Sequence, residues 1–174
     1  MDLSRISRAL LLGVATLIGA TAPARAQDVG IALGSKAPDA ALETLEGAPA
    51  KLSQYIGKGP VLLEFWATWC GNCKQMEPSM KAAHAKYGKS VQFVTVAVSV
   101  NQPVARARAY RDKYKLPGVM LYDRKGDAGA VYDAPATSYV VFIDQSGIVR
   151  YTGVGGTQDI ERAIRTALAR PSSD

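Results

Sequence analysis

Residues 65–74, Phe65-Trp66-Ala67-Thr68-Trp69-Cys70-Gly71-Asn72-Cys73-Lys74, hold the only two cysteines of a 174-residue chain. An apolar, β-favouring run, Val61-Leu62-Leu63-Glu64-Phe65-Trp66, leads into them, and a segment of helical periodicity leaves them. The pair therefore belongs at a strand-to-helix junction, on the first turn of the helix. A helix N-terminus presents unpaired backbone N–H groups and a partial positive charge. That setting stabilises a thiolate on Cys70 and predicts a pKa below that of a free thiol. The thiolate is the attacking species in disulfide exchange. Cys73, one turn later, is placed to attack the resulting mixed disulfide. Gly71 and Asn72 let the backbone pass close to a client.

Outward from this stretch, the chain reads as one domain of ordinary size with 48% apolar residues. Residues 1–26 have the pattern of a secretory signal: Arg5 and Arg8, a short apolar centre over 9–20, and Ala24-Arg25-Ala26 as a cleavage site. The apolar run is short for a bilayer span, which takes about 20 residues; an uncleaved anchor is the alternative. Removing 1–26 takes away three arginines and one aspartate, which lowers the net charge from +6 to +4. There is no dense Lys/Arg cluster with interleaved aromatics, so nucleic acid is not an expected partner. A structural staple would join distant segments, because closing a long loop stabilises more. Structural zinc wants four ligands, and the chain offers two cysteines and one histidine, His84. His84 lies about three turns past the cysteines, roughly 15 Å away at helical rise, which favours a surface or boundary histidine over a catalytic one. Copper(I) on the two thiolates stays open.

Residues 27–35 are expected as a flexible lead-in, 36–170 as the domain and 171–174 as a tail. Residues 40–52 read as two short strands around Glu46-Gly47, with one helical turn over 52–56. The first core strand follows the turn at 57–60, and its successive apolar residues require burial on both faces. The helix from Cys73 towards Tyr87 carries Met76, Met80, Ala83 and Tyr87 on its core face. Pro78 should kink it, and Gly88 ends it. A valine-rich strand over 91–100 precedes a helix over 104–114, whose Arg106, Arg108, Arg111 and Lys113 form either a solvated face or a client-docking surface. A third strand over 119–122, a short helix over 126–132, and a hairpin of 138–144 with 148–152 follow. Thr157 is expected to cap a last helix facing inward through Ile160, Ala163, Ile164, Ala167 and Leu168. The glycines at 153–156 read as a backbone bend rather than a phosphate loop. This order describes an α/β fold, a mixed sheet with helices on both faces.

The Trp-Cys-x-x-Cys pair at a helix start resembles the active site of the thioredoxin superfamily. Around it, Gly34-Ser-Lys-Ala-Pro-Asp39, the 57–60 turn and Phe142-Ile143-Asp144-Gln145-Ser146-Gly147 are similar to the TlpA/ResA-like branch of extracytoplasmic thiol–disulfide oxidoreductases. The resemblance implies a thioredoxin-like fold: a central mixed β-sheet flanked by helices, an N-terminal β-hairpin, and an insertion between the second core strand and the C-terminal hairpin. It implies a periplasmic protein with no cofactor beyond a Cys70–Cys73 disulfide. Its expected partners are client proteins with cysteines and a membrane thiol–disulfide electron carrier. The branch mostly reduces its clients, apocytochrome c and copper-site cysteines among them.

In that frame Cys70 is the exposed nucleophile, Cys73 the buried resolving thiol, and Trp69, Gly71, Asn72, Thr137 and Ser138 border the substrate groove. Glu64, six residues before Cys70, stands where thioredoxins bury an acid beneath the disulfide. Burial there raises a carboxyl pKa and makes the group a proton acceptor; a strand-edge carboxylate is the plainer alternative. One departure stands out. The family places a cis-proline just before the hairpin; here the count puts Ser138 at that position, with Pro135 three residues earlier, so either the loop is rearranged around Pro135 or Thr137-Ser138 takes the proline's place. A non-proline cis bond costs about 3 kcal/mol, so a trans Ser138 peptide is expected. Two other activities remain open: a copper carrier using the two thiolates, and a thiol peroxidase. Peroxidatic sites resemble Pro-x-x-x-Thr/Ser-x-x-Cys; here Thr68 is one residue too close and the proline is absent.

Overall fold

A computed structural model describes residues 29–169. The expected signal over 1–26 and the tail over 171–174 lie outside the described residues. Seven strands form one sheet: β1 (Ala41–Thr44), β2 (Pro49–Lys51), β3 (Val61–Trp66), β4 (Gln92–Val98), β5 (Val119–Asp123), β6 (Tyr139–Ile143) and β7 (Val149–Val154). Their order is β2-β1-β5-β4-β3-β6-β7. β3, β4 and β5 run parallel; β1–β2, β1–β5, β3–β6 and β6–β7 pair antiparallel. The helices are α1 (Gly71–Tyr87), α2 (Val104–Tyr114), α3 (Asp127–Val131) and α4 (Ile160–Leu168), with one 3₁₀ turn at Leu52–Gln54. This is the expected thioredoxin-like arrangement. α2, β5 and α3 make the insertion, and the β1–β2 hairpin joins the sheet through β5.

β3 is central, paired to β4 on one side and β6 on the other, and all six of its residues are buried. Its alternating side chains divide the core in two. Leu63 and Phe65 pack with Val94, Val96, Val141 and Ile143 on one face. Leu62 faces Met76, Met80 and Ala83 of α1 and Ile160, Ile164 and Ala167 of α4 on the other. Glu64 and Trp66 fall on the Leu62 side by the same period. The strand thus aims a carboxylate at the layer that carries the cysteines.

Three expectations are corrected. α1 starts at Gly71, so Cys70 rather than a later residue is its N-cap; it runs through Pro78 to Tyr87. Asp159, not Thr157, caps α4: its carboxylate accepts from the Arg162 N–H at 2.9 Å, because the helix begins at Ile160 and leaves Thr157 outside. Leu168, at the end of that helix, is 43% exposed and leaves the core face to the other four residues. The chain just before β1 hydrogen-bonds to the domain. The Ile31 N–H donates to Tyr132 O and Tyr139 Oη, the Gly34 N–H donates to Val149 O, and Lys36 bridges to Ile148.

Candidate active site

Cys70 and Cys73 form a disulfide with their Cα atoms 5.3 Å apart. Cys70 sits where the chain leaves the buried end of β3 and turns into α1, and the Cys73 N–H points at its Sγ at 3.0 Å. An N-terminal amide thus already addresses the sulfur that would carry charge after reduction. The expected exposure of Cys70 is corrected: it is 4% exposed, against 1% for Cys73. Both cysteines are therefore buried. In the oxidised pair, the neighbouring side chains pack around both sulfurs.

The turn between β3 and α1 is held by the loop that follows the neighbouring parallel strand β4. Gln102, 1% exposed, accepts from the Thr68 N–H at 2.6 Å and donates to Val98 O at 2.9 Å. The Trp69 indole N–H donates to Val100 O at 2.8 Å, which fixes the ring while leaving the residue 47% exposed. Gly71 and Asn72 are exposed beside it.

Behind the pair, Glu64 is 5% exposed, and no donor among the described residues hydrogen-bonds its carboxylate. Burial pushes its pKa up to about 8, and the charge of Glu77 adds to the rise. Glu64, Trp66, Cys73, Glu77, Leu116 and Pro117 line one cavity. A buried carboxyl and the inner cysteine thus line one space together with Glu77. Glu77 itself accepts from Lys81 Nζ at 2.7 Å and from Tyr110 Oη at 3.2 Å. The strand-edge alternative for Glu64 is excluded by its place in the central strand.

Ser138 is fully buried, so it does not border an open groove as expected; it supports one. It is trans, with φ +64°, and its N–H donates to Phe65 O at 2.8 Å. Its Oγ accepts from the Gly155 N–H at 3.2 Å, and its carbonyl accepts from Gln158 Nε2 at 2.9 Å. Ser138, not the exposed Pro135, abuts the end of β3. Thr137 is half-buried next to it.

Sequence reasoning left three contributors out. Gly156 packs so closely on α1 that an added Cβ would lie 2.9 Å from Asn72 O. Gln158 ties Ser138 to Gly155, donating to Gly155 O at 2.8 Å. Gln102 anchors the loop before Cys70. The glycine run at 153–156 was the one available signal, and it is indeed a bend; its position against the first turn of α1 was not readable. His84 is half-buried and packs edge-on to Phe93 with ring centroids 5.1 Å apart, away from the cysteines, as expected. Among the described residues, no group of three or more His, Cys, Asp or Glu side chains is gathered to hold a metal.

The sequence profile of the AhpC/TSA family matches residues 33–152. The chain belongs to this thioredoxin-like family. Within the family it is 35% identical over 130 residues to the thioredoxin-like protein YneN of Bacillus subtilis, covering 74% of this chain and 75% of that one. It is 32% identical over 142 residues to the thiol–disulfide oxidoreductase ResA of Geobacillus kaustophilus, covering 80% of each. A Chlorobium tepidum crystal structure described as a thiol:disulfide interchange protein, DsbE, superposes with a TM-score of 0.70 at 32% identity. That match covers 80% of this chain and 99% of the other. This AhpC/TSA member is therefore a thiol–disulfide oxidoreductase of ResA/DsbE type. Its redox group is its own cysteine pair, and its clients are proteins with cysteines.

Proposed function

We propose that the protein works outside the cytoplasm as a reductant of client disulfides, with Cys70 attacking and Cys73 resolving. The observation that carries this reading is the Cys73 N–H aimed at Cys70 Sγ from the first turn of α1. Once the pair is reduced, the Cys70 thiolate attacks a client disulfide. One client sulfur leaves as a thiolate and a mixed disulfide forms. In the molecules whose Glu64 is ionised, a fraction that grows as pH approaches 8, Cys73 then loses its proton to that carboxylate and attacks Cys70 Sγ. The Cys70–Cys73 disulfide re-forms, and the second client thiolate departs with the remaining electron pair. A raised carboxyl pKa suits this exchange, because acceptor and thiol then compete for the proton on nearly equal terms. Two electrons have moved to the client, and an exported dithiol donor, by resemblance a membrane thiol–disulfide carrier, restores the reduced pair.

Export to the periplasm rests on residues 1–26, which read as a secretory signal with Ala24-Arg25-Ala26 as its cleavage site; an uncleaved signal would leave the domain anchored on the same side of the membrane. The reducing direction and the clients, apocytochrome c or copper-site cysteines, rest on the branch that the sequence resembles. Two measurements test the proposal. Cys70→Ser should abolish reduction of insulin disulfides, and Cys73→Ser should accumulate a mixed disulfide with client through Cys70. Full turnover by the Cys70→Ser protein overturns the assignment. A reduction potential near thioredoxin's value of about −270 mV supports the reducing direction, and one near the strongly oxidising value of about −120 mV reverses it.

A further inference from the structure

The positive run on α2, read from sequence as a single face, divides in the folded protein. Arg108 donates through Nε to Leu45 O at 3.0 Å, and Arg111 pairs with Glu46 at 3.1 Å and Asp112 at 2.9 Å. These two bind α2 to the β1–β2 hairpin. Arg106 and Lys113 turn the other way. With Lys74 of α1 and the rings of Trp69, Tyr110 and Tyr114 they line an open groove that begins at the residue next to Cys70.

No carboxylate answers these cations. Among the described residues, Lys74, Arg106 and Lys113 form no ion pair. Arg106 donates only to Asn101 O, at 3.3 Å, and Lys113 Nζ stands 5.1 Å from the Tyr114 ring centroid. The nearby acids are already occupied: Glu77 by Lys81 and Tyr110, and Asp112 by Arg111. The groove floor is aromatic, with Trp69 47% and Tyr114 41% exposed. Three unanswered positive charges around exposed rings form a surface complementary to an acidic chain with apolar or aromatic side chains.

We propose that this groove docks the client segment flanking the reactive cysteine and selects segments rich in Asp and Glu. The inference deepens the reading of Cys70 and Cys73 above and rests on it. From Arg106 to Lys113 is about 10 Å along α2, the span of about three extended residues. The recognised acids therefore lie within a few positions of the client cysteine.

The test uses the reduced, full-length mature protein and three oxidants: a disulfide-linked peptide dimer with Asp and Glu beside its cysteine, the same peptide with Lys and Arg there, and hydroxyethyl disulfide. Oxidation of the protein is followed by its tryptophan fluorescence. The acidic peptide should be reduced about tenfold faster than the basic one at low ionic strength, and the ratio should approach one at high salt. An Arg106→Glu/Lys113→Glu variant should invert the ratio. Lys89→Glu, the same sign of charge change at an exposed site outside the groove, should keep it. Equal rates for both peptides in the wild type, or a ratio lost as fully in Lys89→Glu as in the groove variant, overturns the docking proposal while leaving the cysteine chemistry standing. Failure to reduce even hydroxyethyl disulfide overturns the cysteine reading, and the docking proposal with it.

Discussion

The disulfide has a back and a front, and they are built differently. At the back, Glu64 stands in a strand whose six residues are all buried, and it meets Cys73 in a cavity walled by Trp66, Leu116 and Pro117. At the front, Trp69 stands 47% exposed, and a loop of glycines leans on the first turn of α1. The back is a place for one proton, because a carboxyl out of water resists ionising. The front is a place for another chain, because it combines exposed ring surface with backbone that comes close. One residue separates the two roles within the same turn: Trp69 faces out and Cys70 faces in. The chemistry and the recognition can therefore be broken separately.

The largest effect is expected at the back. Glu64→Gln keeps the shape and removes the proton acceptor, so resolution of the mixed disulfide should slow by about a hundredfold near neutral pH. Attack by Cys70 should change far less, and rapid-quench measurement of the two steps separates them. Equal slowing of both steps would erase the distinction between back and front.

The same carboxyl also shapes stability. Its folded pKa of about 8 lies above its ordinary value of 4.5, so between those limits the native state holds a proton that the unfolded chain has released. Stability should therefore fall as pH rises from about 4.5 to about 8, by up to ~1.4 kcal/mol per pH unit, and level off above. Urea unfolding of the oxidised protein across that range should show this slope, and Glu64→Gln should flatten it. A wild-type profile already flat there would mean that Glu64 is ionised in the native state.

At the front the expected losses are smaller. Gly156→Ala brings a Cβ to 2.9 Å from Asn72 O, closer than two such atoms sit, so the loop or the helix start must shift. The cost should be about 1–3 kcal/mol, with client reduction impaired beyond what the stability loss explains. Gln102→Leu strips the buried Thr68 N–H of its acceptor and should cost about 2 kcal/mol. Ser138→Ala removes the acceptor for the Gly155 N–H and should cost about 1 kcal/mol, the mildest of the set. Thermal melts of the oxidised proteins rank all three. A Ser138→Ala loss as large as that of Gly156→Ala would show that the serine, rather than the glycine contact, holds the front loop.

What the sequence alone determined is local. The strand into Trp66, the cysteines at the mouth of a helix and the hairpin after Ser138 follow from periodicity and spacing over short windows, where each residue's preference is set by its near neighbours; for Glu64 the residues left a strand edge open, and only the family resemblance pointed to a buried place. Tertiary structure decided whatever depends on residues far apart in the chain: Gln102 reaching Thr68, Gly156 against Asn72, Ser138 closed in by Gly155 and Gln158, and Arg106 and Lys113 parted from Arg108 and Arg111. Even the depth of Cys70 belongs here, since burial is imposed by the whole packed assembly around a side chain. A linear pattern carries the identity of a group; its neighbours in space, and hence its solvent and its partners, come only from the folding of the complete sheet.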